Sequence, residues 1–182
     1  MDIIVISRPD YFEGEAMAIN QLFVQGMEIL HLRKPGNDPG RFRELLSGIN
    51  PLFYNQIAIH QHHDMAGEFN IRRLHYPEKH RESADLAVLE GQSRNRFVLS
   101  SSIHQLSLLP DLLFMDYVFY GPVFNSISKP GYQRVVEPGF RLPIRSGGPR
   151  VIAIGGITIA NLETVKQMNF DGAALLGAVW AS

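Results

Sequence analysis

The chain has 182 residues, of which 45% are hydrophobic and 19% charged, with a formal net charge of -1 at pH 7. That is the balance of an ordinary globular domain, and it argues against a nucleic-acid partner. No residue is cysteine, which excludes a disulfide framework, a thiolate nucleophile and a cysteine zinc site.

The first apolar run is Ile3 to Ser7. It is too short for a signal peptide or a membrane span and no basic region precedes it, so a cytoplasmic protein without a membrane partner is expected. Similar runs follow at Glu28 to Arg33, Gln56 to His60, Ile71 to Tyr76, Arg96 to Ser100, Tyr117 to Tyr120, Arg150 to Ile154 and Gly172 to Leu176. Near-continuous apolar runs of this length suit strands buried on both faces of a parallel sheet.

Between the runs lie segments with helical spacing. Ala16, Ile19, Leu22 and Phe23 share a face from Glu15 to Gln25. Asp38 and Pro39 can start a helix running to Ser47, and Thr158 can start one carrying Leu162, Val165 and Met168 inward. Residues 131–148, rich in Pro, Gly and Arg, read as a long loop. Alternating strands and helices with eight strand candidates predict an α/β fold, a single (β/α)8 barrel over 1–182. Several outer helices must be short or missing. After Gly177 too few residues remain for a full eighth helix, so a second copy is expected to cover that wall, making a homo-oligomer, a dimer in the simplest case.

In such a barrel the chemistry sits in loops after the C-terminal ends of the strands. Arg33 and Lys34 end the second run and place positive charge in the mouth, where Arg33 suits a phosphate or carboxylate; a solvated strand end is the plainer reading. His60, His62, Asp64 and His75 are weak metal-ligand candidates, because the sequence does not show them converging. Ser102 and His104 follow the fifth run; His104 is either a helix cap or an acid/base group. Asn125, Ser126, Ser128 and Lys129 form a polar loop after the sixth run that suits an oxyanion. Gly155 and Gly156 join the seventh run to a helix start, and Leu176 and Gly177 follow the eighth. Two such turns can cradle a phosphate on free backbone N–H groups, or can be plain tight turns.

These motifs resemble the thiamine phosphate synthases and the TenI-type thiazole tautomerases, both (β/α)8 barrels. The resemblance covers nearly the whole chain. It rests on His31-Leu32-Arg33, the Ser-rich turn ending in His104, Asp116-Tyr117-Val118 leading to Gly121-Pro122-Val123-Phe124 and Lys129, Ile154-Gly155-Gly156-Ile157, and the stretch from Gly172 to Gly177. It implies a phosphorylated thiazole as the small-molecule partner. Arg33 and Lys129 would face anionic groups, with Gly156 and Gly177 at the thiazole phosphate.

The resemblance also implies Mg²⁺ for a synthase, held by aspartates after the third and fourth strands. Here those positions fall on or near Gln61 and on His80. The basic residue expected two positions beyond Arg33 is replaced by Pro35. Releasing pyrophosphate without a metal leaves its charge poorly compensated. The expectation is therefore a tautomerase with His104 as acid/base and no cofactor. The alternatives are a synthase with relocated Mg²⁺ ligands such as Asp64, His60 or Glu78, and a non-catalytic protein that binds a phosphate ligand.

Overall fold

The computed structural model describes residues 1–36, 38–124, 136–137 and 139–180. Eight strands close into one barrel in chain order: β1 (Asp2–Ile6), β2 (Ile29–Leu32), β3 (Ile57–Ile59), β4 (Arg73–Tyr76), β5 (Val98–Ile103), β6 (Tyr117–Tyr120), β7 (Arg150–Ala153) and β8 (Gly172–Leu175). Every neighbouring pair is parallel, including the seam where Asp2 to Val5 pair with Gly172 to Leu175. Each expected run forms its strand. At the seam a side chain on residue 172 would put its Cβ 2.8 Å from the Asp2 carbonyl oxygen, so glycine is required there by space.

Side chains alternate along each strand. One set points outward and packs under the helices: Val5, Leu30, Leu32, Ile57, Ile59, Leu74, Leu99, Val118 and Val151 join Ile19 and Phe23 of α1 (Glu15–Val24) and Phe42, Leu45 and Leu46 of α2 (Pro39–Ser47). The other set fills the barrel, where Ile4, Ile6, Tyr117, Phe119, Ile152 and Ala174 form a separate cluster. The interior also buries His31, His60, His75 and Ser100, in place of the branched aliphatics usual in such barrels.

Local chemistry explains the helix starts. The Asp38 carboxylate accepts from the Arg41 N–H at 3.0 Å and Pro39 occupies the first position of α2, as the sequence predicts. The Asn161 side chain accepts from the Thr158 N–H at 2.9 Å before α5 (Leu162–Gln167), whose buried residue is Val165. Two helices between β4 and β5 were not expected: α3 (Glu78–Ser83), with no buried residue, and α4 (Leu86–Arg94), which buries only Leu89. So thin an apolar stripe leaves little periodicity to read.

The described part of the expected long loop, residues 136–137 and 139–148, holds neither helix nor strand. After β8 comes a single turn, α6 (Gly177–Trp180). The Trp180 Nε1–H donates to the Ile6 carbonyl at 2.7 Å, and its ring meets Phe12 edge-on at 6.0 Å. Among the described residues no helix is long and apolar enough to cross a membrane.

Candidate active site

Because all eight strands are parallel, their C-terminal ends open on one face of the barrel. Arg33 stands there at the end of β2. Its backbone is clasped by Ser7, buried at the end of β1: the Arg33 N–H donates to Ser7 Oγ at 2.9 Å, and that hydroxyl donates to the Arg33 carbonyl at 3.1 Å. Among the described residues the Arg33 guanidinium makes no ion pair. Its charge is felt by His60 and His75.

Lys34 corrects the sequence expectation. Its side chain is buried, and its ammonium donates to the carbonyls of Arg8 and Asp10 and to Glu15 Oε1 at 3.0, 2.9 and 2.5 Å. Burial pushes the Lys34 pKa down and the Glu15 pKa up, and their mutual bond opposes both shifts. The pair ties the loop after β1 to the end of β2 and offers no cation to a ligand. Carried past Leu32, the alternation of β2 turns Arg33 and Lys34 to opposite sides.

His104 follows β5 and is half exposed, with 52% of its side-chain surface open. Its Nδ1 lies 2.8 Å from the Gly121 carbonyl. A carbonyl only accepts, so Nδ1 carries the hydrogen and Nε2 keeps its lone pair in the neutral ring. Nε2 sits 3.6 Å from a carboxylate oxygen of Glu78, at the start of α3. Glu78 in turn lies 3.8 Å from the Arg81 guanidinium, whose Nε–H donates to Ser101 Oγ at 3.0 Å. Nothing in the sequence pairs Glu78 with His104, because one opens α3 and the other follows β5.

The glycine turns end adjacent strands, β7 and β8. Gly155 and Gly156 both have left-handed backbone, with φ of 92° and 66°. A Cβ on residue 155 would lie 2.6 Å from Pro122 Cβ, so this turn also packs against the loop after β6. That loop is bonded to it through Val123 N–H to Ile154 O and Phe124 N–H to Gly155 O. Leu176 is exposed, and Gly177 opens α6 beside it. Asn125, Ser126, Ser128 and Lys129 lie outside the described residues.

Below the mouth the buried polar groups form two hydrogen-bonded sets, stacked on each other through His60 and His75. His31 Nδ1 meets His60 Nε2 at 2.9 Å, and His31 Nε2 meets the Tyr117 hydroxyl at 2.7 Å. His75 Nδ1 meets Ser100 Oγ at 2.9 Å and its Nε2 meets Ser102 Oγ at 3.2 Å. Burial holds all three imidazoles neutral: the pKa values of His31 and His60 fall well below the usual range, and that of His75 is pushed down to about 3, with the charge of Arg33 adding to the effect on His60 and His75.

Of the suggested metal candidates, His60 and His75 thus come together, with His31 as the unforeseen third member. His62 and Asp64 do not join them. His62 adopts φ of 54°, which turns its ring onto Phe42 at 5.0 Å, and Asp64 is exposed in a short 3₁₀ turn. Mg²⁺ asks for oxygen ligands in near-octahedral array. Gln61 Oε1 already accepts from the Lys34 N–H at 2.9 Å, and His80 is an exposed imidazole in the last turn of α3. These residues do not fit that ion.

A family profile described as thiamine monophosphate synthase matches residues 3–179. The thiamine-phosphate synthase of Staphylococcus haemolyticus is 35% identical over 71 residues, 38% of this chain and 34% of that protein. The thiamine-phosphate synthase of Desulfitobacterium hafniense is 24% identical over 98% of this chain and 86% of its own. The crystal structure of thiamine phosphate pyrophosphorylase from Bacteroides thetaiotaomicron superposes with a TM-score of 0.73 at 27% identity, covering 99% of this chain and 85% of that one. Against the Staphylococcus and Bordetella relatives, the match spans a third to a half of their length, 34% to 50%.

Proposed function

The chain belongs to the thiamine monophosphate synthase family, and from that premise we propose that it is a thiazole tautomerase acting on a carboxylated thiazole phosphate. The observation that carries this reading is His104. Its hydrogen is committed to the Gly121 carbonyl, and its Nε2 lone pair stands free at the mouth beside Glu78. Nε2 takes a proton from one position of the thiazole ring and returns it at another, so no proton is gained or lost overall. Arg33, held by Ser7 at the end of β2, binds the carboxylate. The turns at Gly155-Gly156 and Leu176-Gly177 bind the phosphate through backbone N–H groups. None of these steps needs a metal.

The names of the relatives favour a second reading, a thiamine-phosphate synthase. Against it stand the two positions occupied by Gln61 and His80, neither of which suits Mg²⁺. Incubating the purified protein with the carboxylated thiazole phosphate, and separately with pyrimidine pyrophosphate plus thiazole phosphate and Mg²⁺, decides the matter. Turnover of the first set alone, lost in His104→Ala, supports the tautomerase. Thiamine phosphate from the second set overturns it. Binding of thiazole phosphate with no conversion of either set points to a non-catalytic homologue. The reading includes a cytoplasmic homo-oligomer, which light scattering checks; a monomer overturns that part.

A further inference from the structure

His31, His60 and His75 project from three neighbouring strands into one space inside the barrel. A ring nitrogen of each lies within 4.8 Å of the others, and all three residues are buried. The proton transfer proposed above uses none of them. We propose that this cluster is a metal site, in which Nδ1 of His31, Nε2 of His60 and one ring nitrogen of His75 hold a divalent transition-metal ion of the zinc class.

Three features support the assignment. First, imidazole nitrogens suit zinc, cobalt, nickel or copper and not magnesium or calcium, and three of them leave one position of a tetrahedral ion open. Second, His31 Nδ1 and His60 Nε2 face one another at 2.9 Å. Two neutral imidazoles in that pose share a single hydrogen, and an ion takes its place between the two lone pairs. Third, His31 and His75 are already held by side chains around them. His31 Nε2 meets the Tyr117 hydroxyl, and His75 meets Ser100 and Ser102. Hydrogen bonds of this kind fix the ring orientation of ligating histidines.

Closing on the ion takes two adjustments: the His31 and His60 nitrogens open from 2.9 Å to about 3.3 Å, the spacing of two ligands about 2.0–2.1 Å from a tetrahedral ion, and His75 turns. The rings of His60 and His75 are stacked, with centroids 4.0 Å apart and planes at 29°, so their lone pairs run side by side. Rotating His75 about its Cβ–Cγ bond aims one nitrogen at the ion and gives up one serine bond. A neutral hydrogen bond is far weaker than a metal–imidazole bond. Among the described residues no carboxylate joins the cluster, and the Arg33 charge acts on His60 and His75. The fourth position is therefore left to water, hydroxide or a small anion from solution.

The test is a binding measurement, so its outcome is independent of whether the tautomerase reading holds. Chelator-treated protein is titrated with Co²⁺ and then with Zn²⁺. One equivalent of Co²⁺ should bind with the visible bands of a four-coordinate ion, and Zn²⁺ should displace it. His60→Ala and His75→Ala should each weaken binding more than about a hundredfold. Tyr117→Phe, which removes only an outer partner, should weaken it about ten- to a hundredfold. His62→Ala and His80→Ala should leave it unchanged. Circular dichroism checks that each variant folds; should His60→Ala fail to fold, His75→Gln and Tyr117→Phe decide. Absence of Co²⁺ binding, or binding that follows His62 and His80 instead, overturns the proposal.

Discussion

The two halves of the barrel interior are built from different materials. Toward β7, β8 and β1 the filling is apolar, with Ile152, Ala174, Ile4 and Ile6 in one cluster. Toward β2, β3, β4 and β5 it is polar: His31 bonds His60, His75 bonds Ser100, and the two pairs stack through the rings of His60 and His75. Tyr117 and Phe119 of β6 stand at the border, and Tyr117 belongs to both, touching the apolar cluster and bonding His31. The apolar half needs only volume. The polar half needs every donor matched to an acceptor, since an unpaired buried polar group costs about 1–3 kcal/mol. Such a network specifies its residues far more narrowly than a hydrocarbon filling does.

Acid should break the contrast most strongly. The three imidazoles are neutral in the fold and have depressed pKa values, with His75 at about 3. In the unfolded chain each titrates near about 6.5. Below that pH the unfolded chain gains protons that the fold excludes, so stability is full above about 6.5 and falls as pH drops toward the folded values. The slope is about 1.4 kcal/mol per pH unit for each imidazole that stays neutral. Urea titrations of chelator-treated protein at steps from pH 7.5 to 5 should show it, in a range where exposed carboxylates scarcely titrate. A flat profile there would refute the neutral network.

His104→Ala should cut turnover about 10²- to 10⁴-fold. Its phosphate-ligand affinity and its melting temperature should stay near those of the parent, because the residue is half exposed above the packed layers. Steady-state kinetics with a thermal melt separate these outcomes. Ile152→Ala should do the reverse on the apolar side. Ile152 is fully buried, and truncation should cost about 2–5 kcal/mol in urea unfolding while leaving kcat near the parent value. Tyr117→Phe should cost least, about 1–3 kcal/mol, by stripping His31 Nε2 of its partner without changing the packed volume. A cost near zero would mean that the polar network tolerates a gap, and the contrast between the halves would soften.

The strands were legible because each is an apolar run short enough to exclude a helix. The seam pairing of Asp2 to Val5 with Gly172 to Leu175 follows from their number and order. The glycine turns were legible because Gly155 and Gly156 stand where β7 ends. Helices α3 and α4 were not, since between them they bury little beyond Leu89. The polar half was half legible. His60 and His75 stood out as a type, but their meeting with His31 depends on three strands sharing an inward phase, which becomes visible only on closure. His62 would share a face with His60 if β3 continued that far, and one left-handed residue conformation separates it. The burial of Lys34 has a signal in the sequence, since the alternation of β2, carried past Leu32, turns it away from Arg33.

Trp180 has a use beyond its place in α6. It is the chain's single tryptophan, bonded to the last carbonyl of β1 and resting against Phe12. The partners of the seam lie some 170 residues apart in sequence, as in Asp2 with Gly172, so their joining closes the longest loop in the molecule. The indole emission therefore watches one event: whether the first and last strands have met. In a refolding experiment it reports closure of the ring as a whole, while far-ultraviolet ellipticity reports the helices, and any lag between the two signals times the last stitch.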